Sequence, residues 1–350
     1  MKKFKLQEPT EFIKDFQKEA KIAKKRIWIQ TMFFETGKRT KVFENILLSS
    51  LKRKLDVRVV IDWSVRTHTP DDRLHFYPIL PIRRSKRKAI KQFSKENKRM
   101  LERLKANGAK ILIANQPGIN GNFIPILRRS HSKLFIIDDT VWTGGINLSD
   151  RSFDNIDFMV KFQDKKVINA IEKHFPHLHK KPVRDYFVDI DENYRLLVDN
   201  GRLNKSIIYN HALEMIDRAK KEVVFVSQYI PDGTLLKKLI KKANQRVNVI
   251  IITSHENHQT FTRLPFKPIY RRLRSKIKYN PYIKLVHCSK KVHAKLLEVD
   301  KTEVIFGSHN FFHIDVLVGT QEISIYSKDK KLVKTLDNFA TTLYKNHLGK

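Results

Sequence analysis

His131-Ser132-Lys133-Leu134-Phe135-Ile136-Ile137-Asp138, continued by Gly144-Gly145-Ile146-Asn147, has a counterpart further along the chain. That counterpart is His293-Ala294-Lys295-Leu296-Leu297-Glu298-Val299-Asp300, continued by Gly307-Ser308-His309-Asn310. In both, His-x-Lys is followed by four residues and an Asp, and a small-residue turn ends in Asn. The spacer from Asp to Gly is five residues in the first copy and six in the second.

The likeness extends upstream. Residues 11–30 read as an amphipathic helix through Ala23-Lys24-Lys25 and then a strand, Arg26-Ile27-Trp28-Ile29-Gln30. Residues 207–228 repeat the order, with Ala219-Lys220-Lys221 leading into Glu222-Val223-Val224-Phe225-Val226. Each is followed by a second helical pattern (about 40–54 and 233–244) and a second apolar strand, Val57–Ile61 and Val247–Ile251. Periodicity that switches between 3.6 and 2 in this order predicts β-α-β units. The expected fold is therefore α/β, two similar lobes of mixed sheet flanked by helices, with one site at their junction. We set the lobes at 1–185 and 186–350. The repeats are offset by 196 residues at Ala23/Ala219 but by 162 at His131/His293, so the first lobe carries a net insertion of 34. It falls within 63–130, which includes a basic insertion around 66–110.

The 350 residues carry 70 Lys+Arg against 36 Asp+Glu, a formal net charge of +34. That excess favours a polyanionic partner, nucleic acid or an anionic membrane surface. The 41% hydrophobic content is enough for a real core and excludes wholesale disorder. One cysteine, Cys288, excludes a disulfide framework. The start, Met1 to Thr10, has no apolar run after its lysines, and apolar runs elsewhere reach only about six residues where a span needs roughly 20. We expect a cytoplasmic protein, peripheral on the inner face of the membrane.

Read as strand residues, His131 and Lys133 share a face, as do His293 and Lys295. Each half then offers an imidazole, an ammonium and the carboxamide of Asn147 or Asn310 to one spot. Such donors suit the oxygens of a phosphodiester. One imidazole can attack phosphorus while the other protonates the leaving alkoxide, with positive charge stabilising the transition state.

This constellation resembles the phospholipase D superfamily, whose signature is His-x-Lys, four residues, Asp, six residues and Gly-Ser-x-Asn. The second copy matches throughout. The first has the shorter spacer and Gly145 in place of Ser. Trp142-Thr143-Gly144-Gly145-Ile146-Asn147-Leu148 and Gln228-Tyr229-Ile230-Pro231-Asp232 look like the bacterial cardiolipin synthase group. The resemblance implies a covalent phosphohistidine intermediate and no metal or cofactor. It places His131 as nucleophile and His293 as acid, then base. Lys133, Lys295, Asn147 and Asn310 fall at phosphate-holding positions, with Ser308 on the same turn. Asp138 and Asp300 fall where the family orients the local fold. Asp157 and Glu322 fit the acidic positions that hold an imidazole tautomer. The sequence departs after Asn310, where Phe311-Phe312-His313 replaces the Leu-Asp-x-Arg-Ser seen in cardiolipin synthases.

Other features read more plainly. His174-Phe175-Pro176-His177-Leu178-His179 is read as a surface turn, since Pro176 breaks a helical ligand face. His255-Glu256-Asn257-His258 is one residue short of a zinc-protease motif and is read as a loop. Residues 83–110 hold twelve Lys/Arg against Glu96 and Glu102, and 261–284 hold eight against none, interleaved with aromatics. Both suit docking on anionic phospholipid. The second equally suits stacking on single-stranded nucleic acid. The expected activity is phosphatidyl transfer of the cardiolipin synthase type. Phospholipase D hydrolysis, a nuclease, and a non-catalytic nucleic-acid-binding protein remain as alternatives.

Overall fold

The computed structural model describes residues 4–63, 84–116, 127–175, 184–255 and 267–348. Residues 66–83 of the basic insertion, 176–179 of the histidine-rich turn, 256–258 and 261–266 lie outside the described residues. The first half runs β1 (Lys5–Gln7), α1 (Pro9–Ile22), β2 (Arg26–Thr31), α2 (Lys41–Lys52), β3 (Asp56–Asp62), α3 (Arg84–Ala106), β4 (Lys110–Ala114), β5 (Leu134–Ile137), β6 (Thr140–Gly144), β7 (Met159–Gln163) and α4 (Lys165–His174). The second runs β8 (Tyr186–Asp189), β9 (Tyr194–Asn200), α5 (Ile207–Arg218), β10 (Glu222–Val226), α6 (Gly233–Asn244), β11 (Asn248–Ser254), α7 (Lys267–Ile277), β12 (Ile283–Cys288), β13 (Leu296–Val299), β14 (Glu303–Gly307), α8 (His313–Val318), β15 (Gln321–Ser327) and α9 (Lys330–His347).

Two mixed sheets result. The first has the order β1-β7-β6-β5-β2-β3-β4, and the second β12-β11-β10-β13-β14-β15-β9-β8. Six central strands of each follow one plan. β2, β3 and β4 pair in parallel, as do β10, β11 and β12, while the remaining neighbours run antiparallel. This is the expected α/β architecture of two similar lobes.

Local chemistry starts and stops these elements. Pro9 opens α1, where its missing N–H costs nothing, and Phe12, Phe16 and Ala20 set its buried stripe at four-residue spacing. At the turn into β2, Asp138 accepts hydrogen bonds from the N–H groups of Lys24, Lys25 and Arg26 at 2.8, 2.8 and 3.1 Å. Asp300 does the same for Lys220, Lys221 and Glu222 at 2.8, 2.7 and 2.8 Å. These two motif aspartates thus tie each β5- or β13-type strand to its neighbour.

The two sheets share an inner core. Trp28, Leu134 and Phe158 of the first meet Leu296, Phe306 and Ile325 of the second, sealed by α4 and α9. Phe12, Phe16, Phe43, Phe135 and Trp142 fill the first outer core under α1 and α2. Truncating one of these rings to Ala would cost about 3–5 kcal/mol. The second outer core lies under α5 and α6. With both faces of each sheet covered, β5 reads as an unbroken apolar run, Leu134-Phe135-Ile136-Ile137, whereas Glu298 interrupts the matching run in β13.

Candidate active site

The lobes join through two matching contacts. Ser130 bridges Gln321, and Ile156 bridges Val292. His131 N–H donates to Gln321 O at 2.9 Å, and His293 N–H donates to Ile156 O at 2.8 Å. Each contact is the other with the lobes exchanged, as an internal two-fold requires.

This corrects one expectation from the sequence. His-x-Lys does not lie in a strand, because β5 begins at Leu134 and β13 at Leu296. The His backbone N–H pairs with the opposite lobe rather than with its own sheet. Lys133 and Lys295 then turn back, each donating its ammonium to the carbonyl of its own His131 or His293. Both lysines are fully buried.

The crossing continues in the side chains. His131 Nδ1 meets Glu322 Oε1 of the second lobe at 2.8 Å, and His293 Nδ1 meets Asp157 Oδ2 of the first at 2.7 Å. Each imidazole is therefore fixed in one tautomer by a carboxylate from the other half, leaving Nε2 to the site. Their side chains keep 14% and 11% of their surface open.

The two carboxylates differ. Glu322 also accepts from the Ser308 hydroxyl. Asp157 accepts from the Phe158 N–H at 2.9 Å and lies against Gly145, where an added Cβ would stand 2.2 Å from its Oδ1. A serine there has no room, which accounts for the Gly-Gly turn of the first motif.

Electrostatics follow this geometry. Burial pushes Glu322 up, but His131, His309 and Lys133 pull it down further, to about 2. Burial raises Asp157 to about 6 against the opposing pull of Lys295 and Lys133. Burial lowers His131 to about 4 although Glu322 works against it. His293 is pushed well below its ordinary value by burial and by Lys295 and Lys133. Burial also brings Lys133 down to about 7 and Lys295 to about 8.

The motif asparagines close the site. Asn147 Oδ1 accepts from Thr31 Oγ1 at 3.2 Å, which orients its NH2. Ser227 Oγ donates to Asn310 O at 3.2 Å, and Asn310 Nδ2 donates to Asp315 Oδ2 at 3.2 Å. The structure thus brings together His131, Lys133, Asp157, His293, Lys295, Ser308, Asn310 and Glu322, while Asn147 follows the Gly145 turn packed on Asp157 and is held by Thr31. Asp138 and Asp300 sit at the far ends of their strands, away from this group.

Sequence reasoning missed Asp315, which feels the charges of both buried motif lysines. Burial, then Glu322, raises it to about 7. Its signal was the departure from the family pattern after Asn310. The strand ending at Asp62 shares the family resemblance, but the sequence gives Asp62 no site role. Its Oδ2 accepts from Ser130 N–H at 2.7 Å and fixes the approach to His131. No cluster of three or more metal-ligating side chains occurs among the described residues. His174 stacks on Tyr186 with ring centroids 4.4 Å apart.

The fold has relatives among solved structures. The chain superposes on phosphatidylserine synthase of Haemophilus influenzae Rd KW20 with a TM-score of 0.72 at 13% identity, covering 98% of this chain and 86% of that one. Polyphosphate kinase of Porphyromonas gingivalis superposes with a TM-score of 0.60 at 11% identity, and the chain spans 50% of its length. At these identities the likeness is one of fold. No curated protein matches the chain by sequence. The family described as cardiolipin synthase, PLD-like domain, matches residues 17–179 and 212–343, one segment for each half of the site. The chain belongs to this phospholipase D-like family.

Proposed function

We propose that the protein is a phosphatidyltransferase of the cardiolipin synthase type, with the two crossed imidazole–carboxylate pairs as its catalytic core. That crossing is the observation that carries the reading. It gives one pocket two imidazoles with free Nε2 atoms, flanked by two buried lysines and two carboxamides.

His131 Nε2 attacks phosphorus of a phospholipid, forming an N–P bond as the P–O bond to the leaving alkoxide breaks. His293, charged by a proton drawn in with the anionic substrate, gives that proton to the alkoxide. It then takes one back from the incoming alcohol, whose oxygen displaces His131 from phosphorus. The intermediate leaves a positive imidazolium at His131. Glu322, held ionised and supported by Ser308, is the better counter-ion for that charge. Asp157 is the weaker acceptor, which lets His293 release its proton. Lys133, Lys295, Asn147 and Asn310 hold the phosphoryl oxygens.

No described helix is long and apolar enough to cross a membrane. We assign docking to charge on an anionic bilayer at the inner membrane face. α3 exposes Lys91, Lys95, Lys98 and Arg99, and α7 exposes Arg271, Arg272 and Lys276. Each well-placed cation contributes about 1 kcal/mol there.

The test is product analysis in EDTA with phosphatidylglycerol vesicles, with serine as a competing acceptor because the structural neighbour is a phosphatidylserine synthase. Glycerol release with a diphosphatidyl product supports the proposal. Phosphatidic acid alone makes the protein a hydrolase. Cut single-stranded DNA with untouched lipid sinks the lipid reading.

A further inference from the structure

The short helix α8 has two unlike sides. Asp315 turns inward to Asn310, and Val316 is buried. Ile314 and Leu317 face outward and are 43% and 47% exposed. They lie four to seven residues after Asn310, on the wall of the site itself.

Two other segments pack against α8. Asn204 N–H donates to Val316 O at 2.9 Å, and Arg128 N–H donates to Val318 O at 2.8 Å. Gly319, with φ of 68°, lies so close to the loop at 201–203 that a Cβ would stand 2.8 Å from Gly201 O and 3.0 Å from Leu203 N. Only glycine takes both that backbone angle and that approach. Leu203, 42% exposed, is thereby held beside α8. Of seven exposed large hydrophobics among the described residues, three belong to this one rim.

The apolar trio has a basic border. Arg128 precedes the His131 segment, and Arg202 and Lys205 flank Leu203, with Asp185 the acid that feels the latter two. Apolar side chains ringed by cations match the boundary between headgroups and acyl chains of an anionic bilayer. Three exposed together on one short helix and the loop packed against it form a patch of the kind that marks an interaction surface.

We propose that Ile314, Leu317 and Leu203 form an interfacial anchor that inserts into an anionic phospholipid surface and presents the site to it. The anchor is built on α8 and the loop at 201–203, not on the basic helices α3 and α7, and acts by burial of apolar area as well as by charge. This inference rests on the lipid reading above, but its test needs no turnover.

Cys288 is buried, so a Leu317→Cys variant takes an environment-sensitive NBD label at one site. NBD fluorescence rises several-fold on vesicles of equal phosphatidylglycerol and phosphatidylcholine, and stays flat on phosphatidylcholine alone. An Ile314→Asp/Leu317→Asp pair, both surface changes, lowers co-sedimentation with the anionic vesicles by about tenfold or more at an unchanged melting temperature. Flat NBD emission on vesicles that co-sediment with the protein overturns the anchor. So does undiminished binding by the double variant, or a response to single-stranded DNA in place of lipid. A protein that docks through α8 yet yields no lipid product keeps this proposal and loses the previous one. Lipid turnover with a silent label does the reverse.

Discussion

The turns after β6 and after β14 are one turn built twice, and they differ by a hydroxymethyl group. In the second lobe Ser308 reaches Glu322. In the first, Gly145 gives up its side chain because the shorter Asp157 occupies that space. The chain holds each carboxylate in place by a different means: a hydroxyl donor on one side, close packing on the other. One result is a pair of imidazoles in like geometry with unlike counter-ions, about 2 for Glu322 and about 6 for Asp157. A duplicated site can thus assign two chemical roles without abandoning its symmetry.

The sharpest way to break this comparison is to remove each imidazole. His131→Ala and His293→Ala should each lower turnover by about 10³-fold or more. Only His131→Ala should also abolish a phosphorus-labelled protein trapped by quenching in alkaline detergent, where an N–P bond survives. Labelled protein from His131→Ala but not from His293→Ala would exchange the two roles.

Next come the turns themselves. Gly145→Ser should cost about 100-fold in activity and lower the melting temperature, because its Cβ must displace Asp157 from His293. Ser308→Gly should fold normally and lose about 10–100-fold, the worth of one hydrogen bond to a buried charge. Equal effects on both rates and both melting curves would show that the turns are interchangeable.

The lysines set stability against binding. Both have folded pKa values below the ordinary 10.5, about 7 for Lys133 and about 8 for Lys295. The unfolded chain therefore binds more protons between pH 7 and 10.5, and their contribution to stability rises with pH over that window. An oxyanion prefers them charged, so tungstate binding should take up protons and weaken from pH 7 to 9. Lys133→Met should raise the melting temperature more at pH 6 than at pH 10, while abolishing the pH dependence it contributes to binding. Titration calorimetry in buffers of different ionisation enthalpy reads the proton uptake directly.

The smallest effect concerns a buried acid outside the site. Glu298 on β13 is 1% exposed, and neither carboxylate oxygen has a hydrogen-bond partner. Ile136 stands at the matching position of β5. Burial, then Asp337, lifts Glu298 to about 8. A raised carboxyl pKa leaves its contribution intact below about 4.5 and removes it as pH rises through 8. Glu298→Ile should therefore raise the melting temperature by a few degrees at pH 8.5 and hardly at all at pH 4.5.

Much of this was legible in the chain. The β-α-β order, the two lobes and the paired motifs follow from patterns within single elements, where side-chain period and local caps decide. The helix expected at 233–244 forms over those same residues. What local pattern could not show was which carboxylate serves which imidazole. Asp157 and Glu322 each lie downstream of a motif in their own half, yet each crosses to the other half's histidine. That pairing is set by the Ser130–Gln321 and Ile156–Val292 bridges, contacts between residues more than a hundred positions apart. The same bridges draw His131 and His293 out of the strands in which alternation would place them. Asp315 escaped because it follows no repeat: its counterpart by the 163-residue offset of Asn147 and Asn310 is Ser152.

The exchange of carboxylates has a consequence for how the chain can vary. Neither half owns a complete imidazole pair, so a fragment holding one lobe would keep a histidine whose counter-ion sits on the missing piece. A complete pair of imidazoles and counter-ions is thereby conditional on assembly, and an incompletely folded chain has neither pair. A change to either acidic residue registers on the opposite side of the molecule, so the two halves must be tuned as a couple even as the surfaces around them drift apart.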